Sequence, residues 1–270
     1  MEIRGFLLQK LVLPTPFPTL KRIAEPALRQ LMPPPRQRQT YVPARMLSVI
    51  VPAHNEERYL GRTLEALRNQ TYQWFEVIVV ANGCTDRTAQ VARGKCQRLI
   101  VLSQRSLGVA RNLGAKMARG DVLLFLDADT ILEPTALHNI AAQFSTADSA
   151  GTVKGQPDES RFIYRLLYFF KNLVHRLELH PGSSGVILCW REHFERTGGF
   201  DEGLEVRENS ELMKRLRRFG RYRYFGEITA TTSMRRFARR GIGRVTWLWL
   251  KVWLQSWLGD LHHRRYEPVR

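Results

Sequence analysis

Four apolar runs, each closed by a polar loop and followed by a helix-like stretch, constrain this chain more than any other feature. The runs are Leu47 to Val51 in "LSVIVP", then "FEVIVVAN", "RLIVLS" and "DVLLFLDADT". Each is short, rich in branched residues and bounded by turn residues, which is the pattern of a strand. Between them, Leu60, Leu64 and Leu67 share one helical face, with Asn55 placed to cap that helix. "TDRTAQVARGKC" and "GVARNLGAKMARG" continue the alternation, the second with Gly120 just past its end. Strands without polar alternation are buried on both faces, and strands separated by helices pair in parallel. The expected fold is α/β: a Rossmann-like, doubly wound, mostly parallel sheet with flanking helices. Ligands of such sheets gather at the carboxyl ends of the strands, here "PAHNEE", "ANGCTD" and "DADT".

Two common tenants of this architecture are absent. A dinucleotide site needs GxGxxG after the first strand, where this chain has "PAHNEE", and no GxxxxGK[ST] phosphate loop occurs. The three cysteines, Cys84, Cys96 and Cys189, are scattered, without metal-binding spacing, and read as reduced thiols of a cytoplasmic protein. "FLLQKLVLP" does not read as a secretory signal, and no apolar run reaches the ~18 residues that cross a bilayer.

Charge divides the chain. The formal net charge is +17, of which +6 falls in residues 1–46, +1 in 47–150 and +10 in 151–270. A near-neutral centre argues against nucleic acid as partner. Basic flanks suit an anionic membrane surface or a phosphate-bearing ligand. The expected organisation is a basic Pro-rich arm over 1–45, a catalytic domain over 46–235 and a basic amphipathic Trp-rich helix over 236–270. In that helix Trp247, Trp249, Trp253 and Trp257 stand beside Arg244 and Lys251. It fits a membrane interface, or equally packing onto its own domain or a homodimer contact. The basic aromatic stretch "RFIYRLLYFFKNLVHRL" poses the same choice.

The fourth strand ends in Asp127 and Asp129. Two carboxylates one residue apart repel each other and are costly to hold dry without a counter-ion. Either the strand ends in solvent or a cation belongs between them. Taken with "LSVIVPAHNEE", "VIVVANGCTD", the "GVARNLGAKMARGDVLLFLDADT" block and "GGFDEGLEVRENSEL", in that order, the pair resembles the family 2 glycosyltransferases, over about residues 46–220. The resemblance implies a GT-A fold, with a nucleotide-binding half over 46–130 and an acceptor half over 131–235. It implies inverting sugar transfer from a nucleotide-sugar donor to a lipid-linked or other membrane acceptor, on the inner face of the membrane. In that family the aspartate pair is a DxD motif. Asp129 would hold Mg²⁺ or Mn²⁺ against the diphosphate, an ion that favours hard oxygen ligands. Pro52, Ala53, Asn55, Glu56, Asn82, Asp86, Arg111 and Asp127 would form the donor pocket, with His54 turned outward. Asp86 serves equally as a helix N-terminal acid, and Arg111 as a surface ion pair.

One departure from the family pattern stands out. Many members carry Glu-Asp where this chain has Glu208-Asn209, and the aspartate is their general base. Asparagine takes no proton at neutral pH. Glu208 serves instead, or the acceptor is already an anion such as a polyprenyl phosphate, or the protein binds nucleotide sugars without catalysis. Arg235 and Arg236 suit an acceptor phosphate. Ser183 and Ser184 line the pocket, or form an ordinary loop.

Overall fold

The computed structural model describes residues 45–179, 182–204, 208–241 and 243. The Pro-rich arm up to residue 44 and the Trp-bearing segment beyond 243 lie outside the described residues, and with them the expectations placed on both.

The four apolar runs form β1 (Leu47–Ala53), β2 (Phe75–Asn82), β3 (Arg98–Leu102) and β4 (Val122–Leu126). The helices between them are α1 (Leu60–Arg68), α2 (Thr88–Ala92) and α3 (Leu107–Lys116). Strand β1 lies between β2 and β4, parallel to both, and β3 pairs in parallel with β2. Every residue of β1 and β4 is buried, the reason their sequences show no alternation.

The second half adds β5 (Thr130–Leu132), α4 (Ala136–Gln143), β6 (Asp148–Pro157), α5 (Phe162–Arg176) and β7 (Val186–Trp190). It continues with α6 (Arg191–Arg196), α7 (Glu208–Leu216), β8 (Arg221–Thr232) and α8 (Arg235–Arg240). The eight strands make one sheet in the order β3-β2-β1-β4-β7-β6-β8-β5. Strand β7 runs antiparallel to β4 and β6, while β6 and β8 are parallel. The expected mostly parallel sheet is therefore parallel in its first half and mixed in its second. Residues 236–240, assigned from sequence to a separate C-terminal helix, are part of α8. That helix packs through Phe237 against Tyr164 and ends at Gly241.

One core layer joins the sheet to α1 and α4 through Leu60, Leu64, Leu67, Leu137 and Ile140. The other joins it to α3, α6 and α7 through Ala110, Phe194, Leu212 and Leu216. Each fully buried Leu contributes ~1.5–3 kcal/mol relative to exposure. The amino ends of the strands are locked by a satisfied polar knot: Ser48 Oγ donates to Glu76 Oε1 at 2.7 Å, and the amide of Arg119 donates to the same oxygen at 2.6 Å. The chemistry is left to the other end.

Helix α3 sits close to β1, because a Cβ at Gly114 would come within 2.4 Å of Ile50 Cγ2. Gly114→Ala sets a helix-propensity gain of ~1 kcal/mol against overpacking of ~1–3 kcal/mol. We expect net destabilisation, read as a lower urea midpoint; a midpoint raised by the substitution would show the contact to be loose.

Candidate active site

The carboxyl ends of β1, β2 and β4 converge with the start of α8. Strand β4 stops at Leu126, and Asp127 to Asp129 form a turn in which the amide of Thr130 donates to the Asp127 carbonyl at 3.0 Å. The Asp127 amide donates to the carbonyl of Gly185 at 2.9 Å. Gly185 has φ +86°, and a Cβ there would meet Thr130 Oγ1 at 2.6 Å, so only glycine lets this backbone cross beneath the acidic turn.

The turn does not end in open solvent. Arg235 Nη2 lies 3.1 Å from Asp129 Oδ2 and also donates to Glu56 Oε1. The ring of Tyr59 sits under the same guanidinium, 4.3 Å from its centroid. Burial pushes the Asp129 carboxyl up to about 6; Arg235 opposes this, while Asp127 and Glu56 add to it. Burial likewise raises Glu56 despite Arg235, and Glu56 Oε2 is buried with no hydrogen-bond partner. The two aspartates thus have separate counter-ions from the protein itself, Arg235 on Asp129 and Arg111 on Asp127. Arg235 holds one of the two Asp129 carboxylate oxygens, and a divalent ion at this carboxylate would stand beside a guanidinium. Among the described residues no group of three or more His, Cys, Asp or Glu side chains could hold a metal ion. Arg235 is thus placed to compete with Mg²⁺ or Mn²⁺ for Asp129.

Arg111, on α3, is not a surface ion pair. Its side chain is 3% exposed. Nη1 donates to Glu208 Oε1 at 3.0 Å and to Asn209 Oδ1 at 2.7 Å, and Nη2 donates to Asp127 Oδ1 at 3.3 Å. The Phe200 ring covers it at 4.9 Å. One guanidinium therefore ties β4's tip to the start of α7. The Asn209 amide in turn donates to Ser183 Oγ at 3.0 Å. Ser184 is wholly buried, its amide donating to Thr152 Oγ1 at 3.2 Å, so it packs the sheet and does not line a pocket.

The β1 and β2 loops are cross-braced. Asn55 is not a helix cap: it adopts φ +54°, which lets Oδ1 accept from the Thr85 amide at 2.8 Å. Tyr59 precedes α1 instead. The Glu56 amide donates to Thr88 Oγ1 at 2.7 Å. Burial pushes the Asp86 carboxyl up, but hydrogen bonds from Thr88 and from the Glu57 amide outweigh it and leave it below the usual range. His54 does not turn outward; its Nδ1 lies 2.7 Å from the Asn82 carbonyl. The Asn82 side chain accepts from the Ser106 amide at 2.8 Å. Pro52 and Ala53 are buried within β1. Arg236 is exposed beside the tip and acts on Asp129 electrostatically.

Three residues at this end escaped the sequence reading: Tyr59, Tyr168 and Lys171. Tyr168 and Lys171 lie on α5, the lysine 5.2 Å from the tyrosine ring. Burial lowers the Lys171 amine to about 8, which Asp127 opposes and Arg236 reinforces. Tyr164, Tyr168 and Lys171 follow helical spacing on the face opposite Phe162, Phe169 and Phe170. That period was the available signal, obscured by aromatics on both faces. The outer face of α5 is bare: Phe162 is 79% exposed and Phe169 60%.

Arg111→Met should cost about 3–5 kcal/mol in denaturant unfolding, because Glu208 is left buried and unpaired. Adding Glu208→Gln should recover a large part of it. A double variant as unstable as the simple sum would mean the two groups do not interact.

The glycosyl transferase family 2 model matches residues 48–240. A validoxylamine A glucosyltransferase of Streptomyces hygroscopicus subsp. limoneus is 36% identical over 118 residues, 41% of this chain and 26% of that protein. An undecaprenyl-phosphate 4-deoxy-4-formamido-L-arabinose transferase of Pseudomonas fluorescens is 30% identical over 131 residues, 44% of this chain and 39% of that one. The chain thus spans well under half the length of these curated relatives. Among solved structures, a mannosyltransferase from Pyrobaculum calidifontis in complex with GDP-Man and Mn²⁺ aligns with TM-score 0.65 and 18% identity. That alignment covers 87% of this chain and 70% of that one, a likeness of fold.

Proposed function

The chain belongs to glycosyl transferase family 2 and has the GT-A fold, and from that premise we propose that it transfers a sugar from a nucleotide-diphosphate donor to an acceptor that is already an anion, a lipid-linked phosphate. One observation carries this reading. At the position where a hydroxyl acceptor would need a base, Glu208 is held by the Arg111 guanidinium and Asn209 is fixed between Arg111 and Ser183. Both side chains are thus committed to partners within the protein and are not free to reach an acceptor hydroxyl. An acceptor phosphate needs no base. Its second pKa is ≈ 6, so at neutral pH its oxygen is an ionised nucleophile.

The chemistry balances without a protein base. A phosphate oxygen attacks the anomeric carbon, the bond from that carbon to the donor diphosphate breaks, and the electron pair leaves with the nucleoside diphosphate. Attack opposite the leaving group inverts the anomeric centre. Residues 46–130 would hold the donor through the backbone around Pro52 and Ala53, with the braced Asn55, Glu56, Asn82 and Asp86 giving the loops their shape. Residues 131–235 would present the acceptor, with Ser183, Arg236 and Lys171 nearest the reacting end. The protein's own cations would stabilise the departing diphosphate. The divalent ion implied by the DxD resemblance has Asp129 as its ligand, and Arg235 holds one of that carboxylate's oxygens.

The membrane reading is supported by α5. Exposed Arg165 and Arg176 lie on the same helix as the aromatic outer face, and polybasic segments gain ~1 kcal/mol per Lys or Arg near an anionic leaflet. Among the described residues no helix is long and apolar enough to cross a membrane, so we place the enzyme on the inner face, bound from one side. The undecaprenyl-phosphate substrate in the relative's name agrees with such an acceptor.

The test pairs UDP-, GDP- and dTDP-sugars with undecaprenyl phosphate and with undecaprenol, in detergent, from pH 6.5 to 9. We expect transfer to the phosphate alone, at a rate that falls as pH rises through about 8, where Lys171 loses its charge. Transfer to the free alcohol would refute an anionic acceptor. Donor binding without transfer to either would return the chain to a nucleotide-sugar binder.

A further inference from the structure

We propose that Arg235 is the resident cation of the acidic tip and excludes a divalent ion from Asp129, so that the donor diphosphate is held without metal. This deepens the reading above at the same site.

The guanidinium is fixed from every side. Its Nη2 reaches both Asp129 and Glu56, and Tyr59 stacks beneath it. Its backbone is anchored as well. The amide of Met234 donates to Asp158 Oδ1 at 2.8 Å, and that of Ser233 donates to the Asp129 carbonyl at 3.2 Å. Met234 and Phe237 are buried against Tyr164 and Tyr168 of α5. Moving Arg235 aside would strand the Glu56 carboxylate in a buried site, which is strongly unfavourable. A mobile surface arginine would yield to a metal; this one is built in.

The charge at Asp129 itself points the same way. Arg235 is in contact with it, and Arg236 also acts on it. A dication placed there would be repelled by both, whereas a diphosphate would bring negative charge to cations that can receive it. A guanidinium suits that task, with five donors in a rigid fork.

The decisive measurement is Mn²⁺ uptake by the full chain, followed through the electron paramagnetic resonance signal of free Mn²⁺. Wild type should bind weakly, and Asp129→Asn should bind just as weakly because Asp129 is already engaged. Arg235→Gln frees both carboxylates and should bind at least tenfold tighter; it should also gain more thermal stability from added Mn²⁺ than wild type does. Tight Mn²⁺ binding by wild type that Asp129→Asn abolishes would overturn the proposal, even if the Arg235 variant fails to fold. Equal affinity in wild type and a folded Arg235→Gln would overturn it too.

A second arm reads thermal stabilisation by UDP, GDP and dTDP in EDTA and in Mn²⁺. Stabilisation by one of them in EDTA supports the assignment, and stabilisation only with Mn²⁺ overturns it. Should no nucleotide stabilise under either condition, the transferase reading fails, while the Mn²⁺ titration still decides the role of Arg235.

Discussion

Five carboxylates, those of Glu56, Asp86, Asp127, Asp129 and Glu208, are drawn toward one end of a buried sheet, and two guanidinium groups make that tolerable. Arg111 satisfies Asp127 and Glu208, and Arg235 satisfies Asp129 and Glu56. Each arginine also holds an acid distant in sequence, so the pairing closes the fold. Arg111 lies 16 residues from Asp127 and 97 from Glu208, and Arg235 ties the β1 loop to α8 across 179. Without these pairs the desolvation of the acids would oppose the packing that brings the strands together. The opposite end of the sheet has no such problem. There Glu76 is satisfied by Ser48 and the Arg119 amide, and buried Asp148 by Ser145, Arg221 and Arg223.

The first half of the fold was legible because burial on both faces leaves a direct trace, unbroken apolar runs of strand length. The second half was not. Strand β6 reads "DSAGTVKGQP", with no hydrophobic pattern to find, yet it is central to the sheet. Its buried polar residues survive through partners that a linear reading cannot supply. Thr152 Oγ1 donates to the Val186 carbonyl at 2.6 Å, Ser149 Oγ to the Gly220 carbonyl at 2.9 Å, and Asp148 accepts from Ser145. A strand stabilised by side chain-to-backbone bonds does not advertise itself by hydropathy.

The site divides along the same line. Asp127 and Asp129 were found because their position at a strand end is a property of the sequence. Asn55 was misread as a cap because capping is the commoner use of an asparagine before a helix; its left-handed backbone, which turns the side chain toward Thr85, belongs to the fold. Arg235 and Arg236 in "MRRFARR" were assigned to phosphate because they follow a strand-like segment. Nothing in that run separates the two. What distinguishes Arg235 is Tyr59 below, Glu56 and Asp129 beside it, and a helix start fixed by Asp158.

A DxD motif alone therefore does not determine its counter-ion. The same two carboxylates can recruit a hydrated dication or a guanidinium, depending on what the chain places above them. A dication keeps several waters and takes few protein ligands, so it comes and goes with its substrate. A guanidinium rooted in a packed helix stays, and its charge cannot be lost at any physiological pH. The second arrangement trades an adjustable site for a preorganised one. In the proposed reaction such cations would face the departing diphosphate. With Glu208 held by Arg111, an acceptor that arrives ionised would ask no proton transfer of that carboxylate.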